Sequence, residues 1–340
     1  MKTFLKILSV LVGLPVVAIA VFFFWGSAGT VDKQTYDDIT QYDAPGPAVK
    51  SSYTIVSYNI GYLSGLANNT LTKPERSFFE TNQQRVIESL QSVNPDIVGF
   101  QEIDFKAKRS YDVNQMDVIA EALGMNVGAM AINWDKNYLP FPYWPPSAHF
   151  GRILSGQAIV SRYLTENNSR IVLERVADES VVRRAFYLDR IAQVVQIAVD
   201  GQPLIVINVH LEAFDEATRI SQTRFVRSLA EEYAETLPVI VIGDFNSALN
   251  RATFGPEERP TFQEAQFSIK EMLASERLAP AAPQADWNEE NATFPSDSPQ
   301  YKLDYMFYTP STIEVTQTQV LRNAGESSDH LPLMMQFRFK

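Results

Sequence analysis

Hydrophobic and polar positions divide the chain into three regimes. Residues 7–25, ILSVLVGLPVVAIAVFFFW, form one apolar run without a charge. Residues 27–50 are polar, interrupted by Gly29, Pro45, Gly46 and Pro47, and hold no sustained period. From residue 51 onward, short apolar runs bounded by turn residues alternate with segments of helical spacing. Strands are predicted at 54–59, 96–102, 157–163, 190–199, 203–212, 238–246, 303–309 and 332–339. Helices are predicted at 83–93, where Val86, Ile87 and Leu90 share a face, and at 217–237, where Ile220, Phe225, Val226 and Leu229 do. Strands interleaved with helices and hairpins predict an α/β fold of two sheets with helices outside.

The first run is long enough to nearly span a ~30 Å hydrocarbon core at about 1.5 Å per residue. Lys2 and Lys6 precede it, and Asp32, Asp37 and Asp38 follow with Lys33 among them. That asymmetry places the N-terminus in the cytoplasm and the rest of the chain outside. Pro15 is tolerable within a membrane helix. The competing reading is a cleaved signal peptide cut near Ala28, but the run exceeds the ~7–15 residues of a usual signal core, which favours an uncleaved anchor. Both readings export the remainder. The chain then divides into a membrane anchor or signal segment at 1–28, a linker at 29–50 and one catalytic-sized domain at 51–340, within which no repeat or compositional break occurs.

Composition narrows the chemistry. With 340 residues the chain is long enough to bury a substantial core without staples. Zero cysteines exclude disulfides, thiolate zinc sites and a cysteine nucleophile. Three histidines, His149, His210 and His330, exclude a histidine-rich metal cluster. The formal charge of −11 lacks the basic footprint of a dedicated nucleic-acid binder.

The polar residues fall at strand boundaries. Asn59, Glu102, His210, Asp244 and Asn246 sit at or near the ends of apolar runs, Asp304 begins one, and Asp329 and His330 directly precede another. A single such residue is usually a turn former. Eight of them converge if a sandwich gathers its strand ends along one rim.

The segments SYNI (57–60), FQEID (100–104), NVHLE (208–212), GDFN (243–246), LDYMFY (303–308) and SSDHLP (327–332) carry a resemblance. In order and approximate spacing, the set resembles the endonuclease/exonuclease/phosphatase superfamily, the DNase I-like group of magnesium-dependent phosphoesterases. The likeness covers roughly residues 51–340. It implies a four-layer α/β/β/α sandwich with the active site at one end of the paired sheets, here following an N-terminal transmembrane helix. It names no substrate, because that superfamily spans nucleases, sphingomyelinases, inositol phosphatases and deadenylases.

Phosphate chemistry then assigns roles. Glu102 with Asn59, and Asp329 as a further or water-mediated contact, supply the hard oxygen ligands that Mg²⁺ prefers, with Mn²⁺ as the alternative. Asp244 orients and deprotonates the attacking water, and Asn246 holds the nucleophile or a phosphoryl oxygen. His330 stabilises developing charge, best as an imidazolium. Asp304 is its orienting partner by resemblance, and His210 is a second phosphate donor or leaving-group stabiliser. Some members of the superfamily carry an acid two positions after the first-strand Asn; here that position is Gly61, which favours one principal metal.

Substrate choice is expected in the loops at 62–79, 133–152 and 251–259. The second packs Trp134, Tyr138, Phe141, Tyr143 and Trp144 among prolines, suited to stacking on a base or sugar or to a membrane interface. His149 and Arg152 lie there without an assigned role. The expected function is a membrane-tethered, metal-dependent phosphoesterase hydrolysing a phosphodiester by in-line attack of water, with a lipid or small-molecule ester preferred. The alternatives are an exported endo- or exonuclease, for which nucleic acid is the substrate, and a non-catalytic binding module of the same fold. The intact acid, amide and histidine set disfavours the last.

Overall fold

The computed structural model of the protein describes residues 2–68, 70–248 and 268–340. In chain order its strands are β1 (Ile39–Gln41), β2 (Tyr53–Asn59), β3 (Ile97–Asp104), β4 (Val127–Leu139), β5 (Gly151–Ser161), β6 (Thr165–Val172), β7 (Ile191–Val199), β8 (Gln202–His210), β9 (Val239–Asp244), β10 (Ala279–Pro280), β11 (Asp304–Tyr308), β12 (Ile313–Val320) and β13 (Leu333–Phe339). The helices are α1 (Lys2–Ser27), α2 (Arg76–Gln91), α3 (Gln115–Leu123), α4 (Val181–Phe186), α5 (Glu216–Tyr233) and α6 (Ile269–Leu273). Two mixed sheets result, ordered β1-β4-β5-β3-β2-β13-β12 and β10-β11-β9-β8-β7-β6.

The apolar runs are continuous because both faces of the central strands are buried. Ile55, Ile97 and Ile159 face Val195, Val206, Ile240 and Ile242 of the other sheet, forming the layer between the sheets. Their neighbours Val56, Val98 and Val160 point outward to α2 and α3. Ile205, Ile207 and Val241 likewise meet Val226 and Ala230 of α5. This gives helices outside two apposed sheets. Local chemistry fixes the helix ends: Asp215 caps α5 by accepting from Thr218 N at 2.8 Å, and α3 runs from its Asn114 cap to Gly124 at φ 64°.

The connectivity places the site. β2 and β3 are parallel through α2, and β8 and β9 are parallel through α5, so each sheet holds one parallel pair. Their registers set Asn59 beside Gln101 and His210 beside Asp244. β11 runs antiparallel to β9 and brings Asp304, its first residue, opposite Asp244. Carboxyl ends of the parallel pairs and the start of β11 thus share one rim, where open α/β sheets bind ligands.

All eight expected strands form, with shifted ends, and both expected helices form. β1, β4, β6, β10 and β12 were not anticipated. The segment 133–152 is no structureless loop: β4 and β5 pair as a hairpin to Leu139 and from Gly151, leaving a short tip on which Tyr143 and Trp144 are each 75% exposed. Trp134 is instead buried, its Nε1 donating to Phe186 O at 2.8 Å. Within the segment expected as linker, residues 39–41 form the edge strand β1 against β4. Just ahead of it, Thr30 and Tyr36 donate to the Asp135 carboxylate. The segment 251–259 lies outside the described residues.

The N-terminal expectation is corrected in part. The run at 7–25 falls within helix α1, but among the described residues no helix is long and apolar enough to cross a membrane. The side chains of residues 2, 3 and 5–10 lie outside that description. From Leu11 to Trp25 the helix exposes Val12, Leu14, Val16, Val17, Ile19, Val21 and Phe24. Its C-terminal end docks on the domain: Trp25 stacks on Tyr138, Phe23 meets Phe186 edge-on, and Lys136 Nζ donates to Ser27 O at 3.1 Å.

Candidate active site

Asp244 is the hub. It ends β9 immediately after Gly243, whose φ is 142° and where an added Cβ would lie 2.0 Å from the Val209 carbonyl oxygen. Glycine is what lets β9 approach β8 closely enough to put Asp244 beside His210. Asp244 Oδ2 accepts from Asn59 Nδ2 at 3.0 Å and lies 3.6 Å from both His210 Nε2 and His330 Nε2. Its Oδ1 accepts from the backbone N–H of Asn246 at 2.8 Å. Asn246 sits at φ 49°, and its side chain is turned to donate from Nδ2 to Leu211 O at 3.0 Å. Burial pushes the Asp244 carboxyl up to about 6, against the pull of His330.

His330 is held by Asp304, with Nδ1 2.9 Å from Asp304 Oδ2. Thr293 Oγ1 donates to the same oxygen at 2.5 Å, and Ser328 Oγ donates to Asn59 O at 2.7 Å, tying the segment before β13 to the end of β2. Burial alone would depress the imidazole, but Asp304 and Asp244 outweigh it and hold it at about 10. At neutral pH His330 is therefore an imidazolium donating through Nδ1 to Asp304. His210 goes the other way: burial, then the charges of Arg190 and His330, drop it well below its ordinary value, so it is neutral. One rim thus offers a charged and a neutral imidazole, each 3.6 Å from the same oxygen of one carboxylate.

Glu102 and Asp329 form the second cluster. Glu102 sits at φ 51° where the β3–β5 register shifts between Phe100 and Ile103, a bulge that re-aims its side chain toward the rim. Glu102 Oε1 is 3.9 Å from His210 Nε2, which joins the clusters. Burial, reinforced by the charge of Asp329, pushes Glu102 up to about 7. Two adjacent carboxylates with a raised acid describe a place short of positive charge, and the donors are all oxygens. The space beside them is kept open by Gly61, at φ 50°, where a Cβ would come 2.8 Å from Asp329 Oδ1. These residues fit a hard divalent cation. Asn59, expected as a ligand, instead spends its amide on Asp244 and accepts from Gly61 N at 3.1 Å.

The fold therefore brings Asn59, Glu102, His210, Asp244, Asn246, Asp304, Asp329 and His330 to one rim. His149 lies apart, bonded to Tyr138 Oη at 2.9 Å, and Arg152 pairs with Asp112 at 2.6 Å. Asp244, Asp304 and His330 also present ligand atoms within 4.8 Å of one another, but the His330–Asp304 bond makes that set an ion-paired triad.

Three features escaped the sequence. Asn68 reaches both cluster carboxylates from the β2–α2 loop. Arg190 is buried beside His210, 3.6 Å from Glu212 Oε2, with Nε and Nη1 lacking hydrogen-bond partners among the described residues. As a charged residue opening an apolar run, it carried the same signal as Asp304. Beneath the rim lies a buried polar layer in which Gln101 Nε2 donates to Asn208 Oδ1 at 2.6 Å and Gln157 Nε2 donates to Asn208 O at 2.8 Å. It locks the two sheets in register under the site.

Comparison with known proteins agrees with this geometry. Residues 56–330 match the Endonuclease/Exonuclease/phosphatase family. Among solved structures, an endonuclease/exonuclease/phosphatase from Beutenbergia cavernae is similar at a TM-score of 0.59 and 17% identity, over 85% of this chain and 72% of that one. A mannosyl-6-phosphatase of Bacteroides thetaiotaomicron is similar at 0.57 and 17%, over 84% of this chain and all of that one. A UPF0294 protein of Vibrio cholerae is 29% identical over 140 residues, and the alignment spans 41% of each chain. With a match that runs from the first rim asparagine's strand to the rim histidine, the chain belongs to the endonuclease/exonuclease/phosphatase family, whose members hydrolyse phosphoester bonds.

Proposed function

We propose that the protein is a divalent-metal-dependent phosphodiesterase, with Mg²⁺ as its ion, acting on a lipid or small-molecule phosphoester at a membrane surface. The observation that carries the hydrolytic reading is the Asp304–His330–Asp244–His210 array, in which one carboxylate lies 3.6 Å from each of two imidazoles, one charged and one neutral.

Each side chain has a task. Asp244 accepts the proton of the attacking water, and its raised affinity for that proton suits a general base. The Asn246 N–H and Asn59 amide fix the carboxylate so that its proton-accepting orientation needs no search. His330, charged and aimed by Asp304, donates from Nε2 to a phosphoryl oxygen as negative charge builds there. Neutral His210 offers a second hydrogen bond. Glu102 and Asp329 would hold the cation, which when bound supplies charge neutralisation at the phosphoryl and leaving oxygens.

The membrane reading is supported by the apolar surface of α1, whose end is docked on the β4–β5 hairpin that carries exposed Tyr143 and Trp144. In it, α1 holds the chain at a membrane and the catalytic domain lies on the non-cytoplasmic side. The same exposed aromatics favour a second reading in which they stack on bases and the substrate is nucleic acid. A panel of sphingomyelin, phosphatidylinositol, nucleotide esters, RNA and plasmid DNA, each with Mg²⁺, with Mn²⁺ and with EDTA, tests both. Turnover of the lipid or small esters only with metal is expected. Hydrolysis of DNA or RNA alone selects the second reading, and full turnover in EDTA removes the metal from the mechanism.

A further inference from the structure

Asn68 belongs to none of the segments from which the site was read, yet its amide lies against both carboxylates of the cation site. Nδ2 donates to Glu102 Oε2 at 2.8 Å and is 3.4 and 3.3 Å from Asp329 Oδ1 and Oδ2. Gly61 points at the same spot: an added Cβ would lie 2.8 Å from Asp329 Oδ1, 3.0 Å from Ser328 Oγ and 3.2 Å from Asn68 Nδ2. Residue 61 thus contributes no side chain to the cluster, and the Asn68 amide borders the space that one would enter.

The loop is built to deliver it. Gly61, Tyr62, Leu63 and Gly65 all have positive φ, between 50° and 61°, which coils the chain back over the rim. Gln115 Nε2 donates to Tyr62 O at 2.8 Å, and Asn82 Nδ2 donates to Leu63 O at 3.0 Å, so two buried amides clamp the coil from α3 and α2. The buried Arg109 guanidinium lies 3.4 Å from the centre of the Tyr62 ring and forks onto Asp104. Gly65 forms a β-bridge with Ser328, the residue before Asp329, and Asn68 N donates to Gly65 O at 3.1 Å. The position of Asn68 is therefore tied to that of Asp329 through one bridge and one turn.

A terminal amide carries a donor on one arm and an acceptor of the same size on the other. Toward bare carboxylates the N–H arm is the favourable one. Toward a hard cation between those carboxylates the oxygen arm is, and a half-turn about the terminal torsion exchanges them without moving the loop. We infer that Asn68 is a metal-ligating residue: its amide oxygen joins Glu102 and Asp329 as an oxygen donor to the divalent cation, supplying from the β2–α2 loop the contact that Gly61 cannot make. This rests on the metal-dependent reading above, and it makes the cation site a product of the loop as well as of the strand ends.

The test is cation binding by the full-length protein in detergent, followed by Mn²⁺ electron paramagnetic resonance and by Mg²⁺ titration calorimetry, with no substrate present. Asn68→Ala is expected to weaken both affinities by at least roughly tenfold, and Asn68→Asp to recover the loss. Unchanged affinity in Asn68→Ala overturns the inference. Tighter binding in Asn68→Ala also overturns it, because the amide is then a plug that the cation must displace. If Asn68→Ala is misfolded by circular dichroism, Asn68→Asp decides alone, and weaker binding by that variant overturns the inference. Failure of the wild-type protein to bind either cation overturns the metal reading itself, and that result appears before any variant is made.

Discussion

Neutralising Glu102 separates the stability of the site from its function, and the two should move in opposite directions. Glu102→Gln keeps the shape of the side chain and an oxygen to accept the 2.8 Å bond from Asn68 while removing one charge from a buried, acid-rich cluster. Burial and Asp329 raise the Glu102 carboxyl from 4.5 to about 7. At about 1.4 kcal/mol per pH unit, ionising it within the fold costs on the order of 3 kcal/mol in the metal-free protein. The sign follows from proton uptake. An acid whose affinity is raised by folding binds more protons folded than unfolded, so its contribution to stability falls as pH rises from 4.5 to 7 and stays at its lowest above 7. Metal-free Glu102→Gln should therefore be more stable than wild type at pH 8, by up to about 3 kcal/mol, and the gap should close below pH 4.5. Adding Mg²⁺ at about 1,000 times its Kd should reverse the order, because such a ligand stabilises the wild type by about 4.1 kcal/mol and the variant has lost a principal ligand. Urea unfolding at pH 8 and pH 4.5, in EDTA and in Mg²⁺, reads all four states. A variant less stable than wild type in EDTA at pH 8, or equally stabilised by Mg²⁺, would refute the reasoning.

Asp244→Asn, His210→Ala and His330→Ala should each lower kcat by at least ~10²-fold with the fold retained by circular dichroism; near-normal kcat in two of them would count against the array. Gly243→Ala places a methyl 2.0 Å from a backbone oxygen that cannot move aside, and it should cost about 1–3 kcal/mol in urea unfolding while displacing Asp244 from His210. Protease added outside intact cells, or outside spheroplasts where there is an outer envelope, should digest the domain at 51–340 while the cytoplasmic membrane remains intact; a domain protected until that membrane is lysed places it on the cytoplasmic side.

What could be read from the sequence was set by how far each signal lies from its cause. The central strands announced themselves because burial on both faces leaves unbroken apolar runs, and rim residues such as Asp244 announced themselves because a polar group interrupts such a run at its end. β4 did not, because Asn133, Asp135, Lys136 and Asn137 break its apolar pattern. Asp135 is nevertheless buried, and its partners are Thr30 and Tyr36, a hundred residues away. No local window can tell that a strand carboxylate will be satisfied by a segment that reads as a linker.

The same distance hides the most informative part of the site. Glu102 and Asp329 could be named because each sits in a motif at a strand boundary, but Asn68 follows a coil with no period at all. Its place depends on four consecutive-to-near residues holding positive φ and on a bridge between Gly65 and Ser328, neither of which has a compositional trace beyond two glycines. Gly61 was legible only as something missing, an acid that does not follow the first-strand asparagine. In three dimensions it borders the spot where the Asn68 amide meets both carboxylates. A motif marks what its own strand contributes. Where a position in the motif is empty, the compensating group has to be sought in the loops that the fold lays over it.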